Sequence, residues 1–276
     1  MACTDADFAF LRSVVYEQSA NALDASRDYL FEPRLQRLLR STGFRTLDNL
    51  VSALRSRPNQ AIKRSIAEAM TINETSFFRD HAPFEMLRLD LIPPLILRRA
   101  PSRRLRLWSA ACSTGQEAYS LAMLLCEHFP QLHEWRIEIV GTDISGEVIA
   151  RAQAGRYQRL EVNRGLPARY LIKYFRRVEE EWEVVPEIRS MCRFHQRNLC
   201  NGPMLLEQYD GILLRNVMLY LCIETRRRLL LNLHSILAPD GFLILGSGEQ
   251  PELPSHFQPV MAHGSCYYNP PPPSSM

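Results

Sequence analysis

No run of apolar residues in this 276-residue chain approaches the roughly 18–20 that span a bilayer, so no membrane insertion is expected. The opening stretch MACTDADFAF holds two early aspartates and no basic n-region, which argues against a secretory signal. CxxC pairs are absent. The seven cysteines, at positions 3, 112, 126, 192, 200, 222 and 266, are odd in number and scattered, as in a reduced, cytoplasmic protein without disulfides. Cys192, His195 and Cys200 match no common zinc spacing, and no metal site is expected. Strong charge of either sign is also lacking: a net +3 is too mild to argue for nucleic acid. What is present is an ordinary globular composition, 46% apolar and 23% charged, long enough for two small domains or one large one with an extension.

Residues 1–70 carry helical punctuation and no clear strand. In DYLFEPRLQRLLRSTGF, Pro33 suits a first helical turn, Leu35, Leu38 and Leu39 recur at helical spacing, and Gly43 supplies a stop. TLDNLVSALRSRP and NQAIKRSIAEAM repeat the plan, so a small helical bundle is expected over 1–72. Its first 70 residues hold 8 acids and 10 bases. Arg34, Arg37 and Arg40 fall at i, i+3, i+6 and broadly share one helical face, either a solvated face or a docking surface for an acidic partner.

The character changes near residue 103, after a linker over 73–102. LRLWSAA (105–111), WRIEIVGTDIS (135–145), MCRFHQRNL, DGILLRNVMLYL and GFLILGSGE read as strands. QEAYSLAMLLCEHF, GEVIARAQAG and ETRRRLLLNLHSILAPDG read as helices between them. Alternation of this kind predicts an α/β fold, a doubly wound parallel sheet that binds ligands at its strand ends, over 103–269. Residues 157–191 break the rhythm and are expected to form an inserted subdomain, with EWEVV and EIRSM as short strands. The proline-rich tail 270–276 is expected to be disordered.

The first strand leads into SAACSTG, which is neither GxGxxG nor GxxxxGK[ST], so a ligand with little or no phosphate fits best. Asp143, ending the second strand, suits two ribose hydroxyls. Glu117, just inside the following helix, is either a favourable charge near a helix N-terminus or a contact to a cationic or hydroxylated cofactor. Ribose, positive charge and no phosphate together describe S-adenosylmethionine, and a methyltransferase stands ahead of a nucleotide dehydrogenase on this pattern.

NETSFFRD (73–80), LRLWSAACSTGQEAYSLAM (105–123), GTDIS (141–145), FHQRNL (194–199), LLRNVMLYL (213–221) and GFLILGSGE (241–249) occur in that order. The ordered set resembles the CheR family of chemotaxis-receptor glutamate O-methyltransferases, from about residue 8 to 269. The resemblance implies a Rossmann-like class I methyltransferase fold with S-adenosylmethionine as cofactor and an N-terminal helical domain. It implies that Asn73, Thr75 and Arg79 line the cofactor site. It places Glu117 and Asp143 on the methionine or ribose portions, Asn198 and Leu199 beside the adenine, and Asn216 and Val217 at the end of the pocket. Tyr220 matches the family tyrosine near the transferred methyl. Methyl-accepting chemotaxis receptors become the expected partners, with Arg34, Arg37 and Arg40 as docking residues.

A glutamate substrate explains why no general base stands out. Its carboxyl has a reference pKa of about 4.3 and is ionised near neutral pH, so catalysis rests on positioning and exclusion of water. The forked donors of Arg79 suit it to orient that carboxylate, and Tyr220 to bond it or shape the methyl channel. The sequence departs from the family at Gln116, Ala118 and Leu214. It also departs in the segment RRVEEEWE between Phe175 and Val184, which lacks the glycine-rich loop of members that dock on a receptor's C-terminal pentapeptide; independence from that pentapeptide is expected. The competing readings are a methyltransferase for RNA or a small molecule, and a non-catalytic module that senses S-adenosylmethionine.

Overall fold

The computed structural model describes residues 3–202 and 208–271. The chain divides into two compact units, one of residues 1–72 with 220–225, the other of 73–219 with 226–276. The tail expected to be disordered lies, from residue 272, outside the described residues.

In the helical unit, α1 (Asp5–Ser19), α2 (Phe31–Thr42), α3 (Leu47–Ser56) and α4 (Gln60–Ala69) pack around Leu11, Val14, Phe31, Leu35, Leu50, Ile66 and Met70. Local chemistry sets the ends. Thr4 and Asp7 form a reciprocal capping box at α1, satisfying donors that the first helical turn leaves open. Asn59 Oδ1 accepts from the N–H groups of Ala61 and Ile62 at the start of α4. Segment 220–225 joins this unit through an antiparallel bridge between Asn21 and Leu221.

The α/β unit opens with α5 (Ala82–Met86), a π-helical turn at 87–91 and α6 (Ile92–Arg99). Then come β1 (Arg104–Ala110), α7 (Gln116–His128), β2 (Arg136–Asp143) and α8 (Gly146–Ala154). The insertion comprises β3 (Arg156–Gln158), α9 (Arg159–Val162), α10 (Ala168–Tyr174), β4 (Phe175–Val178), β5 (Glu181–Val184) and α11 (Pro186–Ser190). The chain returns through β6 (Cys192–Gln196), β7 (Tyr209–Leu214), α12 (Ile223–Ile236), β8 (Leu237–Leu245), β9 (Gln258–Ala262) and β10 (Ser265–Asn269).

The main sheet runs β6-β2-β1-β7-β8-β10-β9. Its first five strands are parallel, and β10 is antiparallel to both β8 and β9. β1 and β7 are buried along nearly their whole length, which is why they read as continuous apolar runs rather than alternating ones. From β1 the chain winds to β2 and β6 on one side, then crosses to β7 and β8 on the other. The order therefore reverses between β1 and β7, the switch point beyond whose strand ends sheets of this kind bind their ligands.

Several expectations are corrected. EIRSM is not a strand: residues 186–190 form α11, because Pro186 has its φ preset for a helical first turn and lacks the N–H a strand would donate. β7 ends at Leu214, and 218–220 form a short 3-10 turn instead of continuing the strand. Arg215 has left the ladder and Asn216 takes a left-handed backbone, φ 60°, which closes the strand. The hairpin of β9 and β10, turning at His263 and Gly264, was not anticipated at all.

Candidate active site

The candidate residues of the α/β unit come from three loops, 111–115 after β1, 215–217 after β7 and 73–81 ahead of α5, together with Glu117 in the first turn of α7, Asp143 at the end of β2 and Asn198 and Leu199 after β6. Each of the three loops contains non-glycine residues at positive φ: Ala111 and Ser113; Asn216; Phe78, Asp80 and His81. Such backbone is costly and persists only where the surroundings over-determine it, a condition met most often at binding and catalytic sites.

The β1 loop is pinned on both sides. Ser113 N–H donates to Asp143 Oδ2 at 2.9 Å, and Ser113 Oγ to the Asn73 carbonyl at 2.7 Å. Gly115 starts α7 at φ 93°, where a Cβ would stand 2.9 Å from that of Ala152; only glycine fits. Asp143 is 5% exposed and also accepts from Ser145 N–H at 3.0 Å. These two bonds, one to each carboxylate oxygen, fix its orientation. Cys112 is not a nucleophile. It is buried, and desolvation, then the charges of Asp143 and Glu117, push its thiol well above its ordinary range, so it stays protonated and unreactive.

Arg215 is the centre of the arrangement, and sequence reasoning passed over it. Its side chain is 2% exposed and is paired with Glu117 Oε2 at 2.9 Å and Asp80 Oδ2 at 2.7 Å. Its Nη2 also donates to the Arg79 carbonyl at 2.8 Å. Glu117 completes its own set by accepting from Ser109 Oγ at 2.7 Å. A buried cation needs such partners to offset its desolvation, and here they tie the β1 helix, the β7 loop and the 73–81 loop into one frame. A charged residue directly after an otherwise apolar run (GILL, then Arg215) was the available signal.

Glu249 is the second residue missed. It accepts from the N–H groups of Asn216 (2.8 Å), Val217 (2.7 Å), Leu219 (3.3 Å) and Gly246 (2.8 Å), so one carboxylate shapes the β7 loop. Val217 therefore enters the site as backbone held from below. Asn216 Oδ1 and Arg215 Nε are buried with no hydrogen-bond partner among the described residues.

The other expected residues are less enclosed. Asn73 is exposed, whereas Thr75, Arg79, Asn198 and Leu199 are half-buried. Arg79 Nη1 donates to the Glu74 carbonyl at 2.9 Å, and Asn198 Oδ1 accepts from Cys200 N–H at 2.9 Å. Tyr220 groups with the helical unit, where its carbonyl accepts from Ala22 N–H at 2.9 Å. Cys192 is buried with its thiol directed at the Ala118 carbonyl, 3.7 Å away.

Residues 73–265 match the family model described as CheR methyltransferase, SAM binding domain, and residues 6–71 match its all-alpha domain. The chain belongs to the CheR methyltransferase family. It is an S-adenosylmethionine-dependent methyltransferase. Chemotaxis protein methyltransferase 1 of Pseudomonas aeruginosa is 36% identical over 97% of this chain and 99% of its own length. Chemotaxis protein methyltransferase Cher2 of Pseudomonas putida is equally similar over the same shares. Chemotaxis protein methyltransferase 2 of Vibrio cholerae is 31% identical over 89% of this chain and 86% of its own length.

The residues present suit the cofactor of a CheR methyltransferase. S-adenosylmethionine carries ribose hydroxyls, amino groups and a sulfonium cation, and when bound it supplies an electrophilic methyl group. Groups near the switch point of the sheet are acceptors of the kind those donors need: the oriented Asp143 carboxylate and the buried Asn216 Oδ1, which has no hydrogen-bond partner among the described residues. The small residues Ala110, Ala111, Ser113 and Gly115 let backbone approach closely.

Proposed function

We propose that the enzyme methylates glutamate side chains of methyl-accepting chemotaxis receptors, forming glutamyl methyl esters in chemosensory adaptation. The observation that carries this reading is the charge arrangement around the 73–81 loop. Arg215 is neutralised by Glu117 and Asp80. Arg79, one residue before Asp80, uses Nη1 on a single carbonyl and has no carboxylate paired to it among the described residues. A half-buried guanidinium of this kind suits an incoming carboxylate, which needs orientation and no general base. The names of the chemotaxis relatives agree with this substrate class.

Asp143, with Asn73, Thr75, Asn198, Leu199, Asn216 and Val217, holds the cofactor in this reading. Glu117 acts chiefly by fixing Arg215. Arg37 and Arg40, exposed on α2, steer the helical unit towards acidic receptor helices. Arg34 is removed from that role, since its Nη1 donates to the carbonyls of Met70 and Thr71 at 3.0 and 3.1 Å and closes the end of α4.

The hairpin of β4 and β5 supports independence from a receptor C-terminal pentapeptide. It turns at Glu179 and Glu180 without glycine, and Arg177 is engaged inside it by the Glu179 carbonyl and the Glu180 carboxylate. An acidic turn repels a peptide ending in a free carboxylate. Calorimetric titration with such a pentapeptide should give no measurable heat, whereas receptor-bearing membranes should still be labelled from tritiated S-adenosylmethionine. Tight pentapeptide binding would refute independence, and absence of labelling would refute the substrate.

A further inference from the structure

The loop that bears Arg79 is held from two sides. Arg215 takes its Arg79 carbonyl and Asp80 carboxylate. On the other side stands a ladder of rings. Phe78 meets Phe84 edge-on at 5.1 Å and 63°, and lies stacked on Tyr170 at 5.1 Å and 19°. Tyr170 in turn stacks on Tyr174 at 5.7 Å and 24°. The far end is fixed to α7, where Glu127 accepts from Tyr174 Oη at 2.7 Å and Lys173 Nζ at 2.6 Å. Tyr170 and Tyr174 belong to α10, inside the insertion.

The insertion also grips the neighbouring residue. Phe77 is fully buried and edge-on to Tyr157 and Phe175 at 5.0 and 5.5 Å. Gly165 lies so close that a Cβ there would overlap the Phe77 carbonyl oxygen. Tyr157 Oη donates to the Thr114 carbonyl at 2.7 Å, so the same subdomain reaches the β1 loop. Phe78, Asp80 and His81 flank Arg79 at positive φ, and such backbone holds only under constraint from its surroundings.

We infer that Tyr170 is a positioning residue for methyl transfer: its ring, stacked on Phe78, sets the backbone from which Arg79 projects. The inserted subdomain is then part of the catalytic framework, whatever it does for partners. The inference rests on the reading in which Arg79 orients the acceptor carboxylate.

The test compares Tyr170→Leu with Tyr170→Phe in the full chain. Three quantities are read: methyl transfer from tritiated S-adenosylmethionine to receptor-bearing membranes, cofactor Kd by calorimetry, and amide exchange over residues 77–81. The Phe78 amide, which donates to Ser120 Oγ at 3.0 Å, is the most informative. Tyr170→Leu should lower kcat by roughly tenfold or more, as a displaced orienting group does, leave the cofactor Kd unchanged and speed exchange at 77–81. Tyr170→Phe keeps the ring and should restore all three. Wild-type kcat in Tyr170→Leu overturns the inference, as does a Tyr170→Phe enzyme as slow as Tyr170→Leu, which would move the effect to the hydroxyl and its 3.2 Å contact with His128 Nε2. If Tyr170→Leu does not fold, Phe78→Leu removes the stack from its other side, with the same expected and contrary results. Arg79→Ala separates the two claims: wild-type turnover there sinks the underlying reading, whereas an inactive Arg79→Ala beside a fully active Tyr170→Leu sinks only the inference.

Discussion

In the proposed reading Arg79 serves the acceptor and Asp143 the cofactor, and their surroundings are what suggest the division. Asp143 is 5% exposed and fixed by two backbone N–H groups, so its carboxylate keeps a constant orientation. Arg79 is half-buried on a strained loop with one carbonyl partner. Arg79→Ala should lose most methyl transfer, on the order of a hundredfold for a misplaced reacting group, and retain cofactor affinity. Asp143→Ala should do the reverse, weakening cofactor binding in a calorimetric titration by on the order of tenfold for the loss of hydrogen bonds to a charged group. Equal effects of both substitutions on cofactor Kd would contradict the division. Asp143 and Glu117 could be picked out as candidates by place alone, a strand end and a first helical turn, although the pairing of Glu117 with Arg215 could not. Arg215 was not, because its two carboxylate partners lie 98 and 135 residues away and no local pattern joins them.

At the scale of elements, the β7 loop shows how a site can be held by a residue from another strand connection. Glu249 follows β8 and is 7% exposed, yet its bonds fall on backbone N–H groups of the 216–219 turn and Gly246. Glu249→Gln replaces one acceptor oxygen with a donor that faces these N–H groups. Leaving a buried donor unsatisfied costs about 1–3 kcal/mol. The α/β unit should therefore unfold at lower urea concentration, and cofactor binding should weaken with it. Tryptophan fluorescence is a suitable monitor, because Trp108, Trp135 and Trp182 all lie in that unit. An unchanged midpoint would show that the carboxylate is dispensable. The buried strands and helices were legible from apolar runs and their punctuation. The errors fell where three or four residues decide the state: Pro186 turned EIRSM into a helix, and Asn216 ended a strand whose apolar pattern continued. The β9–β10 hairpin was missed although Gly264, at φ 73°, marks its turn; Pro259 is tolerated within β9 because that strand lies at the sheet edge.

At the scale of the whole molecule, the first 70 residues hold 10 of the chain's 33 lysines and arginines, and the candidate site lies in the α/β unit. Among the described residues no helix is long and apolar enough to cross a membrane. Arg37→Glu combined with Arg40→Glu should lower kcat/KM on receptor-bearing membranes several-fold, within about an order of magnitude, with the loss shrinking as salt is raised. Cofactor binding should not change. A loss that persists undiminished at high salt would place these residues in a packed contact rather than a steering field.

The central claim is that the methyl group ends on a carboxylate oxygen. Receptor-bearing membranes labelled from tritiated S-adenosylmethionine, then treated with mild base, test it most directly. Carboxyl methyl esters release volatile tritiated methanol, and N-methyl or ring-methyl products do not. Essentially all protein-bound label placed by the wild-type enzyme should be released by base, and Arg79→Ala should incorporate little label at all. Label that is incorporated and survives base would contradict it.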